Sequence, residues 1–210
     1  MGDITIKALR KAGRKYELRD GAGGVFMLHP ATVLSSRLEA GMAVEESEFR
    51  RIVQEGAYRL ALDCAARLLS RRMHSASELR SKLRQRGYSA ETAESVLSYM
   101  RSINALDDSR FAESYAEELK AKGLGGRRIR QAMSKRGIIP SESDRAISSQ
   151  GKEGFLENAR ILAAKKMRSV KAGEDPRKRR DKLFRHLLSK GYEMDLVRRV
   201  VDEVLSPDPE

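Results

Sequence analysis

The sequence predicts a mainly α-helical protein: an elongated tandem array of three three-helix repeats that follows a small amino-terminal antiparallel β-meander. Three segments, LRSKLRQRGY (79–88), IRQAMSKRGI (129–138) and LFRHLLSKGY (183–192), share one pattern of apolar, basic and glycine residues. Apolar residues have helical spacing from residue 45 onward and alternate as in strands only within residues 1–28. Recurrence with a period of about fifty residues is typical of stacked helical units.

The amino-terminal strands are predicted from alternation. Ile4, Ile6 and Ala8 are expected on one face of a first strand, KYELR (15–19) gives a second strand, and VFML (25–28) gives a third. Glycines between these segments mark the turns. A sheet of three short strands is marginally stable alone, so we expect it to pack against a helix.

A short helix, PATVLSSRL, is predicted next, opened by Pro30 and closed by Gly41. The helical pattern then runs from Phe49 to Leu69, and Gly56 either breaks this segment or merely kinks it. We assign four regions: residues 1–44 to a β-rich extension with one short helix, 45–104 to the first repeat with a lead-in helix, 105–150 to the second repeat, and 151–210 to the third repeat and a short polar tail.

Gly87, Gly137 and Gly191 are predicted to end the second helix of each repeat. A glycine just beyond a helix adopts the left-handed conformation at little cost, and the residues that flank the turn contact each other. The spacing gives three such contacts: Leu83 with Tyr88, Met133 with Ile138, and Leu187 with Tyr192. The recurring glycines are therefore explained as helix ends without any further function.

The predicted helix starts agree with these ends. Ser75 and Glu78 fit a capping box, Asp175 precedes a proline in the manner of an N-cap, and two glycines precede Arg127. The third helices of the repeats are AETAESVLSYM, SESDRAIS and MDLVRRVVDEVL.

The chain is strongly basic, with 42 Lys and Arg against 30 Asp and Glu and a formal net charge of +12. The excess is spread over the repeats, so a basic surface is expected and not a basic tail. Such a surface suits phosphate backbones or acidic partners, although interspersed acidic residues also suit a plainly soluble helical protein. Aromatic residues are only 5% of the chain, so base stacking has little support and binding would be mostly electrostatic.

Several classes of site are poorly supported. Cys64 is the only cysteine, which excludes an intramolecular disulfide framework and fits a reducing cytoplasm. His29, His74 and His186 lie in separate segments without a second ligand at helical spacing, so no metal site is expected. The chain has no signal-peptide core and no apolar run long enough to span a membrane. We expect a soluble, cytoplasmic protein without a cofactor.

Two motifs resemble catalytic or nucleotide sites. GLGGRRIR (123–130) follows a helix and lacks the order of a phosphate-binding loop, so we interpret it as a helix boundary. Asp107 precedes a helical segment and is interpreted as an N-cap instead of half of an acidic pair with Asp108. Because no nucleophile, base and oxyanion site come together, the protein is not expected to be an enzyme.

Basic residues on the second helices are the candidate binding surface. Their recurrence in three repeats favours phosphate contact, while a solvated helix face remains the alternative for each residue. The candidates are Arg80, Lys82, Arg84, Arg86, Arg127, Arg128, Arg130, Lys135, Arg136, Arg179 and Arg180.

Two stretches resemble the signature of the bacterial RecX family of regulatory proteins. They are INALDDSRFAESYAEELKAKGLGGRRIRQAMSKRGI (103–138) and RLLSRRMHSASELRSKLRQRGYS (67–89). The resemblance covers about residues 57–205, and it implies tandem three-helix repeats. It also places Asp107, Phe111 and Tyr115 in the family motif, where we expect a cap and core positions. The insert VKAGEDPRKRR (170–180) departs from the pattern of the other repeats.

The resemblance implies a non-enzymatic protein that binds the RecA recombinase and its filament on single-stranded DNA. It implies inhibition of strand exchange and of ATP hydrolysis, and thus a role in recombination, DNA repair and the SOS response. The basic faces would contact single-stranded DNA and also duplex DNA, and a monomer is expected. The alternative is a nonspecific, architectural DNA-binding protein that acts without RecA.

Overall fold

A computed structural model describes residues 2–170 and 174–206, and the chain divides into two compact units, Met1–Leu106 and Asp107–Glu210. The first unit contains strands β1 (Asp3–Ala12), β2 (Lys15–Asp20), β3 (Val25–Leu28) and β4 (Ala43–Glu45), and helices α1 (Pro30–Ser35), α2 (Glu46–Leu69), α3 (Ala76–Gln85) and α4 (Ala90–Ser102). The second unit contains α5 (Asp108–Ala121), α6 (Gly126–Lys135), α7 (Pro140–Ser149), α8 (Lys152–Arg168), α9 (Pro176–Lys190) and α10 (Met194–Leu205).

The predicted β-meander is confirmed and gains a strand. All pairs are antiparallel, in the order β3-β2-β1-β4, and β4 pairs with residues 3–5 of β1. With only three residues, β4 is too short to show an alternating pattern. The placement of Ala8 with Ile6 on one face is wrong, because the register of β1 against β2 shifts between these residues. Leu9 instead lies opposite buried Leu18 and packs against the core of the sheet.

Helix α2 supports the sheet and runs without a break through Gly56. A Cβ at Gly56 would lie 2.6 Å from Cδ2 of Leu28, so this glycine admits a β3 side chain close to the helix backbone. Phe49, also on α2, meets Phe26 edge to face at 5.3 Å between ring centroids. Gly56 therefore marks a close contact between helix and sheet and does not end a helix.

The predicted helical repeats are observed in both units. The second half of α2 packs with α3 and α4 around Leu79, Leu83 and Val96 in the first unit. In the second unit, α5–α7 and α8–α10 share one core that includes Ile129 and Leu183. The second and third repeats thus bury apolar surface against each other, as the repeat pattern predicts.

All three predicted glycine helix ends are confirmed. Gly87, Gly137 and Gly191 have φ of 87°, 73° and 90°. Each glycine N–H donates to the carbonyl three residues before it, and the next N–H donates to the carbonyl five residues before that one. These two bonds define the Schellman motif, which satisfies carbonyls that a helix end leaves unpaired. The predicted N-caps Ser75, Asp107 and Asp175 also accept hydrogen bonds from the first turns of α3, α5 and α9.

Candidate nucleic-acid interface

The second and third repeats meet where α6 begins and α9 ends. The Gly125 N–H donates to the Lys190 carbonyl (2.9 Å), and the Arg127 N–H donates to the Gly191 carbonyl (3.1 Å). A Cβ at Gly125 would lie 2.4 Å from the Gly191 carbonyl carbon. Since the first N–H groups of a helix have no partner inside it, the carbonyls of α9 supply what α6 lacks. GLGG is a helix boundary, as predicted, and it is also the joint between two repeats.

Two side chains reinforce this joint. The buried Tyr192 hydroxyl donates to the Gly123 carbonyl at 3.2 Å, and burial raises the pKa of Tyr192 to about 12, so the phenol stays a neutral donor. Arg128 Nε donates to the Ser189 carbonyl at 3.0 Å, and Arg128 Nη1 donates to Gln131 at 3.1 Å. The guanidinium of Arg128 is therefore held at the edge of the joint, with N–H groups left for a ligand.

A cleft of about 410 Å³ lies beside the joint, between α6 and α9. Its charged lining residues are Arg128, Lys135 and Lys190, and no carboxylate lines it among the residues the structure describes. Lys135 is exposed and, within the described ranges, its ammonium has no ion pair or hydrogen bond. A concave site with cations on its walls concentrates field lines and attracts anions such as phosphate.

A second cleft, of about 420 Å³, lies between the end of α8 and α9. Lys166, Arg185 and His186 line it together with Lys182, whose ammonium pairs with Glu174 at 2.6 Å. Burial lowers the pKa of His186, and the positive charges of Lys166 and Lys190 lower it further. Lys190 lines the first cleft, and its charge also acts on His186 in the second cleft. We call the unneutralised cations of the two clefts the basic strip: Arg128, Lys135, Lys166, Arg185 and Lys190.

Two of the predicted binding residues make matched internal ion pairs. Arg80 on α3 pairs with Glu94 on α4, and Arg130 on α6 pairs with Asp144 on α7. Both acids lie fourteen residues after the arginine. The hydrogen bond from Arg80 also holds the pKa of Glu94 below its ordinary value. These arginines link the second and third helices of their repeats, so their first role is structural.

The other candidates on α3 lie at its carboxyl end. Arg84 Nη1 donates to the Tyr88 carbonyl (2.7 Å), and Arg86 Nη1 donates to the Lys82 carbonyl (3.0 Å). Cations at this end of a helix satisfy free carbonyls and complement the helix dipole. Each guanidinium keeps further N–H groups that are not used in these bonds. Arg84 and Arg86 therefore remain candidates for phosphate contact, although weaker ones.

The candidates of the second repeat divide into surface and core. Arg127 is exposed and its side chain has no ion pair or hydrogen bond within the described ranges, whereas Arg136 lies 5.1 Å from the centroid of the Tyr115 ring. Tyr115 stacks on Phe111, which is buried in the core of the second unit. The core prediction is confirmed for Phe111, and half-buried Tyr115 packs against that core beneath a cation.

The predicted binding residues of the third repeat, Arg179 and Arg180, do not form an exposed basic face. Arg180 pairs with Asp202 on α10 at 2.6 Å. Within the part of the chain that the structure describes, Nε of half-buried Arg179 is buried without a hydrogen-bond partner. Residues 171–173 of the predicted insert, and residues 207–210 of the predicted tail, lie outside the described residues.

Sequence reasoning did not select Lys166, Arg185 or Lys190, which line the two clefts, as candidate binding residues. Lys166 is on α8, outside the recurring second-helix segment, and it joins the other cations only through the packing of α8 on α9. The ion pairs that Arg80 and Arg130 each make with an acidic residue could have been predicted from the sequence, because the spacing from arginine to acid is the same in two repeats.

Three family models match the chain along the helical repeats. Their descriptions are the first three-helix domain of RecX (residues 61–100), the second (107–147) and the third (153–201). The chain belongs to the RecX family. A regulatory protein RecX of Vibrio vulnificus is 36% identical over 141 residues, covering 67% of this chain and 90% of the relative. One of Clostridium botulinum is 27% identical over 182 residues, covering 86% and 85%.

Solved RecX structures share the fold. A crystal structure of regulatory protein RecX matches with a TM-score of 0.70 and 23% identity, covering 95% of this chain and 99% of that chain. RecX from Lactobacillus salivarius matches with a TM-score of 0.65 and 21% identity, covering 70% and 96%. RecX proteins are regulatory proteins by name. Among the described residues, no helix is long and apolar enough to cross a membrane and no three His, Cys, Asp or Glu residues could hold a metal ion.

Proposed function

We propose that this protein binds the RecA recombinase filament on single-stranded DNA and inhibits its strand exchange and ATP hydrolysis. The observation that carries the proposal is the match of all three helical repeats to RecX family models. The basic strip supports it, since its five cations lie along clefts that the described carboxylates do not line. The proposed setting is a cytoplasmic monomer that takes part in recombination, DNA repair and the SOS response without a cofactor.

The proposed mechanism depends on repetition. Similar repeats make similar contacts on successive protomers of a filament, so several weak contacts add up through avidity. A bound protein shifts the filament away from its active form only by the difference between its affinities for the two forms. Inhibition therefore requires contacts that the active filament geometry weakens or lacks.

A nonspecific, architectural DNA-binding function is the second candidate. It is favoured by the electrostatics of the clefts, which need no protein partner to attract a phosphate backbone. It predicts that affinity for naked DNA falls steeply with salt, and that inhibition of RecA is relieved by added free DNA.

The test is ATP hydrolysis by RecA on single-stranded DNA, with this protein titrated below the RecA concentration. The variant K135Q/K166Q/K190Q removes three cations of the basic strip. Its matched control, R145Q/K152Q/R198Q, removes three exposed charges from the same unit, away from the strip. The proposal predicts inhibition by the wild type at substoichiometric amounts, retained in the control and at least about ten-fold weaker in the strip variant.

Each contrary result has a defined meaning. Absence of inhibition by the wild type would contradict a function in RecA regulation. Inhibition that survives in the strip variant would contradict the assignment of the basic strip. Inhibition that disappears when free DNA is added would favour the architectural function.

A further inference from the structure

The hairpin that joins β1 and β2 concentrates positive charge at its tip. Arg10, Lys11, Arg14 and Lys15 occupy four of six successive positions, and there is no acidic residue among them. All residues from 10 to 14 are exposed. Ala12 pairs with Lys15 across the two strands, and Gly13 takes the positive φ of 62° that the tight turn requires. The strand pairing thus holds four cations at one end of a two-stranded ribbon.

These cations differ from the arginines on the neighbouring helix. Arg50, Arg51 and Arg59 of α2 each pair with a glutamate about one helical turn away. Within the described part of the chain, no side chain of Arg10, Lys11, Arg14 or Lys15 has an ion pair or hydrogen bond. The nearest acid on the ribbon, Glu17, lies opposite Arg10 in the strand register, but its carboxylate pairs with Arg19. The four tip cations therefore form no ion pair among the described residues, although like charges at close range repel each other.

The fold does not need the tip charges. The core of the sheet consists of Ile6, Leu18 and Leu28, which lie on the strands and are fully buried. A run of four cations within six residues is typical of a nucleic-acid-binding patch, and a two-stranded ribbon is narrow enough to enter the major groove of DNA.

We propose that the tip of the β1–β2 hairpin is a nucleic-acid contact separate from the helical repeats. Its ligand is the phosphate backbone, which Arg10, Lys11, Arg14 and Lys15 bind by charge-assisted hydrogen bonds. The contact carries no base specificity, because lysine and arginine on phosphates position a nucleic acid without reading it. The inference goes beyond the proposed regulation of RecA, and it is tested without RecA.

The test is fluorescence anisotropy of labelled single-stranded and duplex DNA, bound by the full-length protein over a series of salt concentrations. The hairpin variant is R10Q/K11Q/R14Q, in which all three changed residues are exposed. The matched control is R50Q/R67Q/R71Q, which removes three exposed positive charges from the same unit. The conservative variant R10K/R14K keeps the charge and tests whether the positive charge, and not the arginine side chain itself, carries the contact.

We expect the hairpin variant to bind at least about ten-fold more weakly at 0.1 M salt than the wild type, and its salt slope to fall by about two to three for duplex DNA. The control should lose less than about three-fold, and R10K/R14K should bind as the wild type does. Loss on only one form of DNA supports the contact and identifies that form as its ligand. Equal affinity and salt slope for the hairpin and control variants would overturn the proposal. So would wild-type affinity of the hairpin variant for both forms of DNA, because that result leaves an acidic protein surface as the partner of the tip.

Discussion

The second helices of the first two repeats begin in different ways. Helix α3 is capped by a side chain next to it in sequence, since the Glu78 N–H donates to the Ser75 hydroxyl at 3.1 Å. Helix α6 begins at glycine and receives two carbonyls from the end of α9, about 65 residues later in the chain. The first repeat thus completes this helix locally, whereas the second repeat depends on the third. Helices of one pattern can therefore differ in what stabilises them.

The largest expected effect is that of Gly125→Ala, which would break the joint between α6 and α9. The added Cβ would lie 2.4 Å from the Gly191 carbonyl carbon and the Tyr192 nitrogen, both of them backbone atoms that cannot move aside cheaply. We expect a loss of about 3 kcal/mol in the free energy of unfolding of the second unit. Urea unfolding followed by circular dichroism measures it.

The adjacent glycine provides the control. A Cβ at Gly126 would meet Cγ2 of Ile147 at 3.4 Å, an ordinary contact, so Gly126→Ala should change stability by less than about 0.5 kcal/mol. If the two substitutions had equal effects, the close backbone contact would not be what stabilises the start of α6.

The next largest expected effect is the difference in stability loss between Gly191→Ala and Gly87→Ala. Both glycines end a second helix with nearly equal φ, 90° and 87°. A Cβ at Gly87 meets nothing within 4 Å, so alanine there should cost only the left-handed conformation, about 1 kcal/mol. At Gly191 the Cβ would lie 2.6 Å from the Arg128 nitrogen, which should add about 2 kcal/mol.

Thermal unfolding of the two glycine variants side by side is the measurement. Each shift in the unfolding midpoint is measured against the wild-type transition of the unit in which the residue lies. Equal shifts would show that α6 does not constrain the end of α9.

Ser75→Ala tests the local cap in the first repeat. Loss of the hydroxyl leaves the Glu78 N–H without its acceptor, and we expect about 1 kcal/mol of destabilisation. Ser77→Ala is the matched control: it removes a hydroxyl from the first turn of the same helix without removing a cap, and it should be near neutral. A cost shared by both variants would contradict the assignment of Ser75 as the cap.

The smallest expected effect is a pH dependence at the start of α3. Burial lowers the pKa of His74, and the charge of Arg72 lowers it further, in spite of the hydrogen bond with Glu78. The unfolded chain therefore binds a proton more readily than the folded chain. The stability that neutral His74 contributes is full above about pH 6.5 and is lost as the pH falls below this value.

Urea unfolding of the wild type and of His74→Gln at pH 7.5 and pH 5.5 tests this dependence. The wild type should lose more stability between the two pH values than the variant does. Equal losses would mean that His74 does not account for the effect.

The sequence predicted the features whose partners lie within about five residues of each other. The glycine ends of α3, α6 and α9 follow from contacts five residues apart, and the caps Ser75, Asp107 and Asp175 follow from contacts two or three residues apart. Periodicity also predicted the helices and the three longer strands. The region boundaries at residues 44, 104 and 150 remain predictions, which limited proteolysis can test.

The features that sequence reasoning missed depend on packing between distant segments. The joint between Gly125 and Gly191 is invisible to local patterns, because glycine also has a sufficient local explanation as a helix boundary. The register shift after Ile6 changes which residue of β1 faces the core, without a glycine or proline to mark it. The basic strip was only partly predicted, since charge counting cannot distinguish Arg130, which pairs with Asp144, from Lys135, which lies free on a cleft wall.

We propose that the basic strip of the second unit contacts the RecA filament. Hydrogen exchange of the full-length protein, measured with and without RecA on single-stranded DNA, tests it most directly. We predict slower exchange on binding in the peptides that cover residues 128–137 and 182–192, which carry most of the strip. Protection confined to α4 and α10, with these peptides unchanged, would contradict the claim.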